Sequence, residues 1–128
     1  EVGAVLEIVI DGLSEADLRA QVVRTIENFG WLVQFVEADP QVPSLAYTVG
    51  LTGFGLPEIC VVGLSPQSAG DLLNHAAELC LAGQTGPGSR VFSHDGCEYL
   101  LGPVSPADLL VALDVYGSSV RALELRAG

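Results

Sequence analysis

The sequence contains no lysine, and its five basic residues are all arginines. Without lysine, the chain cannot form the Schiff bases on which pyridoxal cofactors depend. Sixteen acidic residues give a formal net charge of −11, whereas binding to a phosphate backbone requires a basic surface. We therefore expect no nucleic-acid partner. The acids are scattered, which is typical of a solvated surface; an acidic surface that imitates nucleic acid and occupies a basic protein is the alternative.

Cysteine and histidine are also scarce. Cys60, Cys80 and Cys97 are widely spaced and form no CxxC pair, so we expect no disulfide framework and a reducing, cytoplasmic environment. His75 and His94 lack the spacing of a HExxH or CxxC-type site, and we predict no metal site. The sequence has neither a GxSxG nucleophile elbow nor a phosphate-binding loop with Gly-Lys-Ser/Thr. We predict no cofactor.

Long apolar runs are absent as well. The longest uncharged stretch, Pro40 to Pro57, is interrupted by Pro43 and three glycines, so it cannot span a bilayer and we expect no membrane partner. Yet 49% of the residues are apolar and only 16% are charged, a low share of charge for a soluble domain. Either the core is rich in small residues, or another subunit covers part of the apolar surface.

Three helices are indicated by capping signals. Their starts carry serine at the N-cap position, namely Ser14, Ser65 and Ser105, and proline follows the last two. Their ends fall at the glycines Gly30, Gly83 and Gly117. The third helix is predicted to begin at Ser105-Pro106 and to direct four side chains inward: Leu109, Leu110, Leu113 and Tyr116.

Short apolar, β-branched runs between these helices indicate seven strands. They are Val5 to Ile10, Trp31 to Val36, Leu45 to Leu51, Glu58 to Leu64, Val91 to Ser93, Cys97 to Leu101 and Val120 to Leu125. His94-Asp95-Gly96 indicates a tight hairpin turn. The order β-α-β-β-β-α-β-β-α-β does not alternate as a doubly wound parallel fold requires. We predict a single α+β domain over residues 1–128, with a mixed, mainly antiparallel sheet packed with three helices.

Four short phrases in the centre of the chain come one after another in a distinctive order. They are Ala46-Tyr47-Thr48-Val49-Gly50-Leu51, Leu56-Pro57-Glu58, Val62-Gly63-Leu64 and Leu72-Leu73-Asn74. This succession resembles the bacterial domain-of-unknown-function family 4262, whose pattern runs roughly aYTvGL, HPE, vvGL and LLn. The likeness extends over most of the chain from about Thr25. It implies no activity, and where the family pattern has histidine this chain has Leu56, so an activity that uses that imidazole would be absent here.

The same segment supplies four candidate ligand-binding residues, namely Tyr47, Thr48, Glu58 and Asn74. Tyr47 and Thr48 are predicted to point to opposite faces of a strand, and Tyr47 is also suited to packing in the core. Glu58 comes after a proline among apolar residues, where it could act as a base or bond nearby loop amides. Asn74 could point to the same place or bond a neighbouring loop. Gly50, Gly53 and Gly55 would form either a flexible hairpin or a loop that frames a pocket.

These residues leave two functional hypotheses. The favoured one is a non-catalytic binding or interaction domain with a protein partner or a second copy of the chain, because no nucleophile constellation is present and the apolar share is high. The alternative is a small-molecule-binding enzyme with a pocket around Tyr47, Glu58 and Asn74. It requires these side chains to converge on one cavity.

Overall fold

Seven strands form one sheet in the computed structural model, which describes residues 5–7, 15–93 and 95–127. The strands are β1 (Val5–Glu7), β2 (Leu32–Val36), β3 (Leu45–Val49), β4 (Glu58–Val62), β5 (Arg90–Phe92), β6 (Glu98–Val104) and β7 (Ala122–Ala127). Their order across the sheet is β1-β2-β3-β4-β7-β6-β5. The β1–β2 and β4–β7 pairs are parallel and the other four are antiparallel. The predicted mixed, mainly antiparallel sheet is confirmed.

Three α-helices pack on this sheet in the described residues: α1 (Glu15–Phe29), α2 (Pro66–Leu81) and α3 (Leu110–Tyr116). Strands and helices succeed one another in the predicted order. Helix α2 contacts β1 to β4, whereas α1 and α3 contact each other and the strands β2 and β3. None of the described helices is long and apolar enough to cross a membrane.

Side chains alternate between the two faces of each strand, and helices cover a large part of both faces of the sheet. One face, which we call the α2 face, buries residues that include Trp31, Val33, Ala46, Ile59, Leu101 and Leu123. The opposite face, which we call the α1/α3 face, buries residues that include Leu32, Tyr47, Val49, Cys60 and Ala122. The domain therefore has three layers, with the sheet in the middle.

Helix α2 confirms the capping prediction. The Ser65 hydroxyl accepts a hydrogen bond from the Ser68 amide at 3.2 Å, and Pro66 occupies the first helical position. Gly83 lies just after the last turn with a φ of +72°, a backbone conformation that glycine adopts at little cost. The cap predicted at Ser14 lies outside the described residues.

The third helix differs from the prediction. A separate 3₁₀ turn spans Pro106–Asp108, and α3 begins only at Leu110. Leu109 between them has φ −86° and ψ 63°, which is not helical, so the two segments do not share one helical register. Leu109 is buried, but Leu110 is 69% exposed, and the prediction that Leu110 points inward is wrong.

Strand boundaries move where backbone geometry ends the pairing. β3 stops at Val49 because Gly50 has a φ of +134°, and β4 stops at Val62 before Gly63 at +83°. Strands β5 and β6 form the predicted hairpin, in which the Gly96 amide donates to the Ser93 carbonyl at 3.0 Å. His94 of this turn lies outside the described residues.

Candidate functional site

The Glu58 carboxylate lies fully buried at the start of β4. Burying a carboxylate is costly unless hydrogen bonds replace its hydration shell. Thr48, on the neighbouring strand β3, is fully buried too. The Thr48 hydroxyl donates to Glu58 Oε1 at 2.8 Å and accepts from the Ile59 amide at 2.9 Å. The structure thus brings these two predicted site residues together.

Five uncharged donors converge on the two oxygens of Glu58. Oε1 accepts from the Thr48 hydroxyl and from the Leu51 amide at 3.2 Å. Oε2 accepts from the Gly50 amide at 3.2 Å, the Thr52 amide at 2.8 Å and the Thr52 hydroxyl at 2.6 Å. A carboxylate has about four acceptor positions. These donors therefore use the hydrogen-bond acceptor positions of the Glu58 carboxylate.

The loop that bonds Glu58 is ordered by its backbone. It forms a 3₁₀ helix over Leu51–Phe54, whose first amides point at the carboxylate, and such a turn concentrates partial positive charge. Gly50 precedes it with a φ of +134°, and a Cβ there would lie 2.6 Å from the Gly30 carbonyl oxygen and 2.7 Å from Trp31 Cα. Only glycine fits this close approach of two backbones. The loop joins two antiparallel neighbours, β3 and β4, as the hairpin interpretation requires; a pocket framed by it stays a prediction.

The far end of the loop is held by Arg121, the residue before β7. The Arg121 guanidinium donates to the Gly55 carbonyl at 2.9 Å, and the Glu58 amide donates to the Arg121 carbonyl at 2.9 Å. Tyr116 lies next to this loop, since a Cβ on Gly53 would be 3.4 Å from its hydroxyl. Burial and, secondarily, the Glu58 charge raise the pKa of Tyr116.

Tyr47 points to the α1/α3 face, where it is 1% exposed. Its hydroxyl oxygen accepts a hydrogen bond from the Val111 amide in the first turn of α3 at 3.1 Å. Burial raises the pKa of Tyr47 to about 12, although the bond from Val111 opposes the shift. Tyr47 therefore anchors α3 to the sheet.

Asn74 lies on α2, on the other side of the sheet. Its Oδ1 accepts a hydrogen bond from the indole Nε1 of Trp31 at 2.9 Å, and Trp31 belongs to the α2-face core. Tyr47 and Asn74 are thus separated by the sheet, and the structure does not bring them to a common cavity with Glu58. Ligand binding by the four predicted residues stays a prediction; their polar atoms bond other groups of the chain.

Comparison with known families gives one result. The family model described as Domain of unknown function (DUF4262) matches residues 25–126. The chain belongs to the DUF4262 family. No curated protein and no solved structure matches it.

The position at which the DUF4262 pattern has histidine serves packing in this member. Leu56 is partly buried and contacts the α2-face core, and its amide donates to the Leu51 carbonyl at 3.1 Å. An imidazole at this position would stand beside the 3₁₀ helix, two residues before Glu58. In this chain Leu56 instead makes apolar contacts with the α2-face core.

The described part of this DUF4262 domain contains no group of three or more His, Cys, Asp or Glu residues that could hold a metal ion. Cys60 is buried on the α1/α3 face, and burial, followed by the charge of Glu124, raises the pKa of its thiol to about 12. A thiol of that kind is a poor nucleophile because the thiolate is the reactive form.

Sequence reasoning missed one surface of this DUF4262 domain. Toward the C-terminal end of β2, the α1/α3 face is left uncovered and exposes apolar side chains across the sheet. We call this surface the open strip; it comprises Val36, Val62, Arg90, Phe92, Leu100 and Arg126. One signal was present, because Leu100 and Leu101 are adjacent apolar residues that must point to opposite faces of one strand.

Proposed function

We propose that this domain is a non-catalytic interaction module that pairs with a second copy of itself through β5 and the adjoining open strip. The observation that carries the proposal is the exposure of apolar side chains along the strip. Val36, Val62, Leu100 and Phe92 are 44%, 41%, 48% and 54% exposed. Apolar side chains that cluster on one exposed face of a sheet are typical of interaction sites.

The strip crosses the sheet from β2 to β5; β3 contributes no member, but its Leu45 lies between Val36 and Val62. Val36 and Val62 both pair with Leu45 of β3, one from each side. Arg126 of β7 pairs with Leu100 of β6, and Leu100 pairs with Arg90 of β5. Paired residues of neighbouring strands share a face, so the row reaches the edge of the sheet.

Strand β5 leaves one set of backbone groups without a neighbour in the described sheet. The Leu101 amide donates to the Ser89 carbonyl and the Ser93 amide to the Cys97 carbonyl, both at 2.9 Å. Since bonding alternates along an antiparallel strand, the N–H and C=O groups of Arg90 and Phe92 point away from β6. An edge of this kind can accept a further strand.

A second copy suits this edge because the edge is self-complementary. In an antiparallel pair of β5 strands related by a two-fold axis at Val91, Arg90 of each copy stands opposite Phe92 of the other. Each such pair would exchange two backbone hydrogen bonds and place a guanidinium beside an aromatic ring. A two-fold interface uses the same patch on both subunits, which this register satisfies.

Charge also favours this edge for self-association. Two chains of net charge −11 repel each other, but the strip is locally balanced. Arg90 lies 3.3 Å from Glu98, and Arg126 lies 2.7 Å from Glu124. These pairs therefore reduce the repulsion between two copies that meet at this edge.

The test is the molar mass in solution, measured by sedimentation over a wide range of protein concentration. We expect the chain to be a dimer that dissociates on dilution. Phe92→Arg places the new arginine opposite Arg90 of the other copy in the two-fold register. The two like charges repel, so this variant should be a monomer. Arg90→Pro removes an outward-facing amide, a change that a sheet edge tolerates, together with the guanidinium that pairs with Glu98, and should also weaken the dimer.

The matched control is Phe54→Arg, because Phe54 is also 54% exposed and lies on the 3₁₀ helix away from β5. This variant should remain dimeric. A chain that is monomeric at every concentration would refute the proposal, as would a dimer that withstands Phe92→Arg. Equal loss of the dimer in both phenylalanine variants would also count against it. Circular dichroism confirms that each variant is folded.

A further inference from the structure

A cavity of about 290 Å³ opens between α2 and the β5–β6 hairpin, on the opposite side of the sheet from the open strip. Its volume lies near the lower end, roughly 300 Å³, of pockets that take small molecules. Apolar and polar side chains both contribute to its wall: Leu64, Leu72, Tyr99, Ser68, Asp71, His75, Ser93 and Asp95. None of the residues of the Glu58 site lies on it.

Helix α2 supplies one wall by its periodicity. Ser68, Asp71, Leu72 and His75 recur at spacings of three and four residues, which places them on one face of the helix. The Ser65 cap and Pro66 fix the start of this helix. The wall is therefore part of a regular element and not of a loop.

The hairpin supplies the facing wall. The Ser93 hydroxyl donates a hydrogen bond to the Asp95 carboxylate, and the Cys97 amide donates to the Ser93 hydroxyl oxygen at 3.1 Å and to Asp95 at 3.5 Å. These bonds lower the pKa of Asp95, so its carboxylate is ionised at neutral pH. Tyr99, two residues after Cys97, is half-buried and packs against the α2-face core.

The wall carries two carboxylates and one imidazole, that of His75. Asp71 and Asp95 approach the cavity from two different elements, and its described lining includes no lysine or arginine. In a chain of net charge −11, a concave surface with two carboxylates attracts cations and repels anions. Its apolar side chains, Leu64, Leu72 and Tyr99, suit the hydrocarbon body of a ligand, and the tyrosine ring can also receive a cation on its face.

We propose that this cavity binds a small organic cation, namely a primary ammonium group on an apolar or aromatic body. The ammonium group lies between the carboxylates of Asp71 and Asp95, with the serine hydroxyls as further acceptors. The apolar body lies against Leu72 and Tyr99. A bare metal ion fits less well, because the described residues include no cluster of three or more metal-ligating side chains and the apolar wall would gain nothing from it.

The experiment titrates the full chain with four probes under identical conditions, by calorimetry and by amide chemical shifts. The probes are phenethylammonium, the neutral phenethyl alcohol, the anion hydrocinnamate and magnesium. We expect saturable binding of phenethylammonium, with binding of the alcohol weaker by about fivefold or more, the order expected for a solvent-accessible charge pair. Hydrocinnamate should not bind, and the amides that shift should include those of Asp71, Asp95 and Tyr99.

Asp71→Asn removes one charge with little change of shape and should weaken phenethylammonium about fivefold. Asp108→Asn is the control, since it removes the same charge from an exposed residue on a 3₁₀ turn remote from the cavity. Should Asp71→Asn fail to fold, the probe selectivity and the shift map of the unaltered chain decide the matter.

Three results would overturn the proposal. They are the absence of saturable binding at millimolar phenethylammonium, equal affinity for the neutral alcohol, and displacement of the ammonium by magnesium at lower concentration. An equal effect of both aspartate variants would also contradict it. Repeating the titration on Phe92→Arg separates this cavity from self-association, because that change lies on the opposite face of the sheet.

Discussion

Glu58 connects the loop after β3 to the strand β4, and it does so with hydrogen bonds from uncharged groups. Loop amides are hard to satisfy when they are buried. Here the Gly50, Leu51 and Thr52 amides meet a single carboxylate that accepts from all three. The arrangement gives Glu58 a structural role, which is one of the two roles that its position in the sequence had suggested.

Replacing Glu58 by glutamine should destabilise the domain. Gln keeps the size of the side chain, but its NH₂ group would face N–H and O–H donors at one of the two oxygen positions. We expect a loss of about 3 kcal/mol in the free energy of unfolding, the order of magnitude for buried bonds to a charged group. Urea unfolding followed by circular dichroism measures it.

Glu27→Gln provides the control because Glu27 is exposed on α1. Its effect should stay within about 0.5 kcal/mol. If Glu58→Gln proved as mild as this control, the carboxylate would not be what orders the loop.

At the scale of elements, two similar phrases lead to different structures. Val62-Gly63-Leu64-Ser65-Pro66 leads into the sixteen-residue helix α2, whereas Gly102-Pro103-Val104-Ser105-Pro106 leads into a three-residue 3₁₀ turn. Both serines cap, and Ser105 accepts from the Ala107 amide at 3.3 Å. The capping chemistry is local, but the length of the helical segment after each cap depends on packing.

Removing the two caps should therefore have unequal effects. Ser65→Ala should lower the free energy of unfolding by about 1 kcal/mol, the usual value for an N-cap. Ser105→Ala should cost less, because its cap serves a single turn that is not continuous with α3. Urea unfolding of the two alanine variants side by side gives the comparison. A larger loss for Ser105→Ala would show that the turn supports more of the fold than its length indicates.

Across the whole molecule, buried ionisable groups limit stability in alkali. Burial raises the pKa of Tyr47 from 10.0 to about 12 and that of the Cys60 thiol from 9.0 to about 12. Both groups are neutral when protonated. The unfolded chain therefore loses these protons at lower pH than the folded chain, and folding is disfavoured as the pH rises.

We expect the free energy of unfolding to be steady below about pH 9 and to fall between pH 9 and about pH 12 as a result. Urea unfolding at a series of pH values measures this decline. In Cys60→Ala the decline near pH 9 should be shallower but still present, because burial also raises the pKa of the Cys80 thiol; tyrosine in the unfolded chain adds to the decline from about pH 10. A stability that does not change up to pH 11 would mean that neither group is buried in solution.

The element order could be predicted from the sequence because the signals that encode it are local. Serine caps, terminal glycines and β-branched runs act within a few residues, and every predicted strand and helix of the described chain is present. The exception in detail is Leu110. The direction of the Leu110 side chain depends on the non-helical backbone of Leu109. The spacing of the leucines in the sequence does not reveal this break between the two helical segments.

The candidate site was only partly predictable, because its contacts depend on tertiary packing and not only on local signals. Thr48 and Glu58 are close in the chain, and β3 and β4 are adjacent strands, so their contact results from a hairpin-like pairing. Tyr47 and Asn74 were grouped with them by sequence proximity, but the sheet separates the two. Side-chain alternation assigns opposite faces to neighbours on a strand, and which face meets which helix is decided by packing.

Three properties can be obtained from the order of residues alone, because each depends on residue type and local pattern. They are the acidic, lysine-free composition, the succession of elements and the family of the central segment. Which surfaces stay uncovered became visible only once the chain was folded. α1 and α3 bury one end of their face and leave the open strip exposed, and α2 meets the hairpin around a cavity with two carboxylates. Both features join residues far apart in the chain, which are brought together by strand order and helix packing that local signals do not encode.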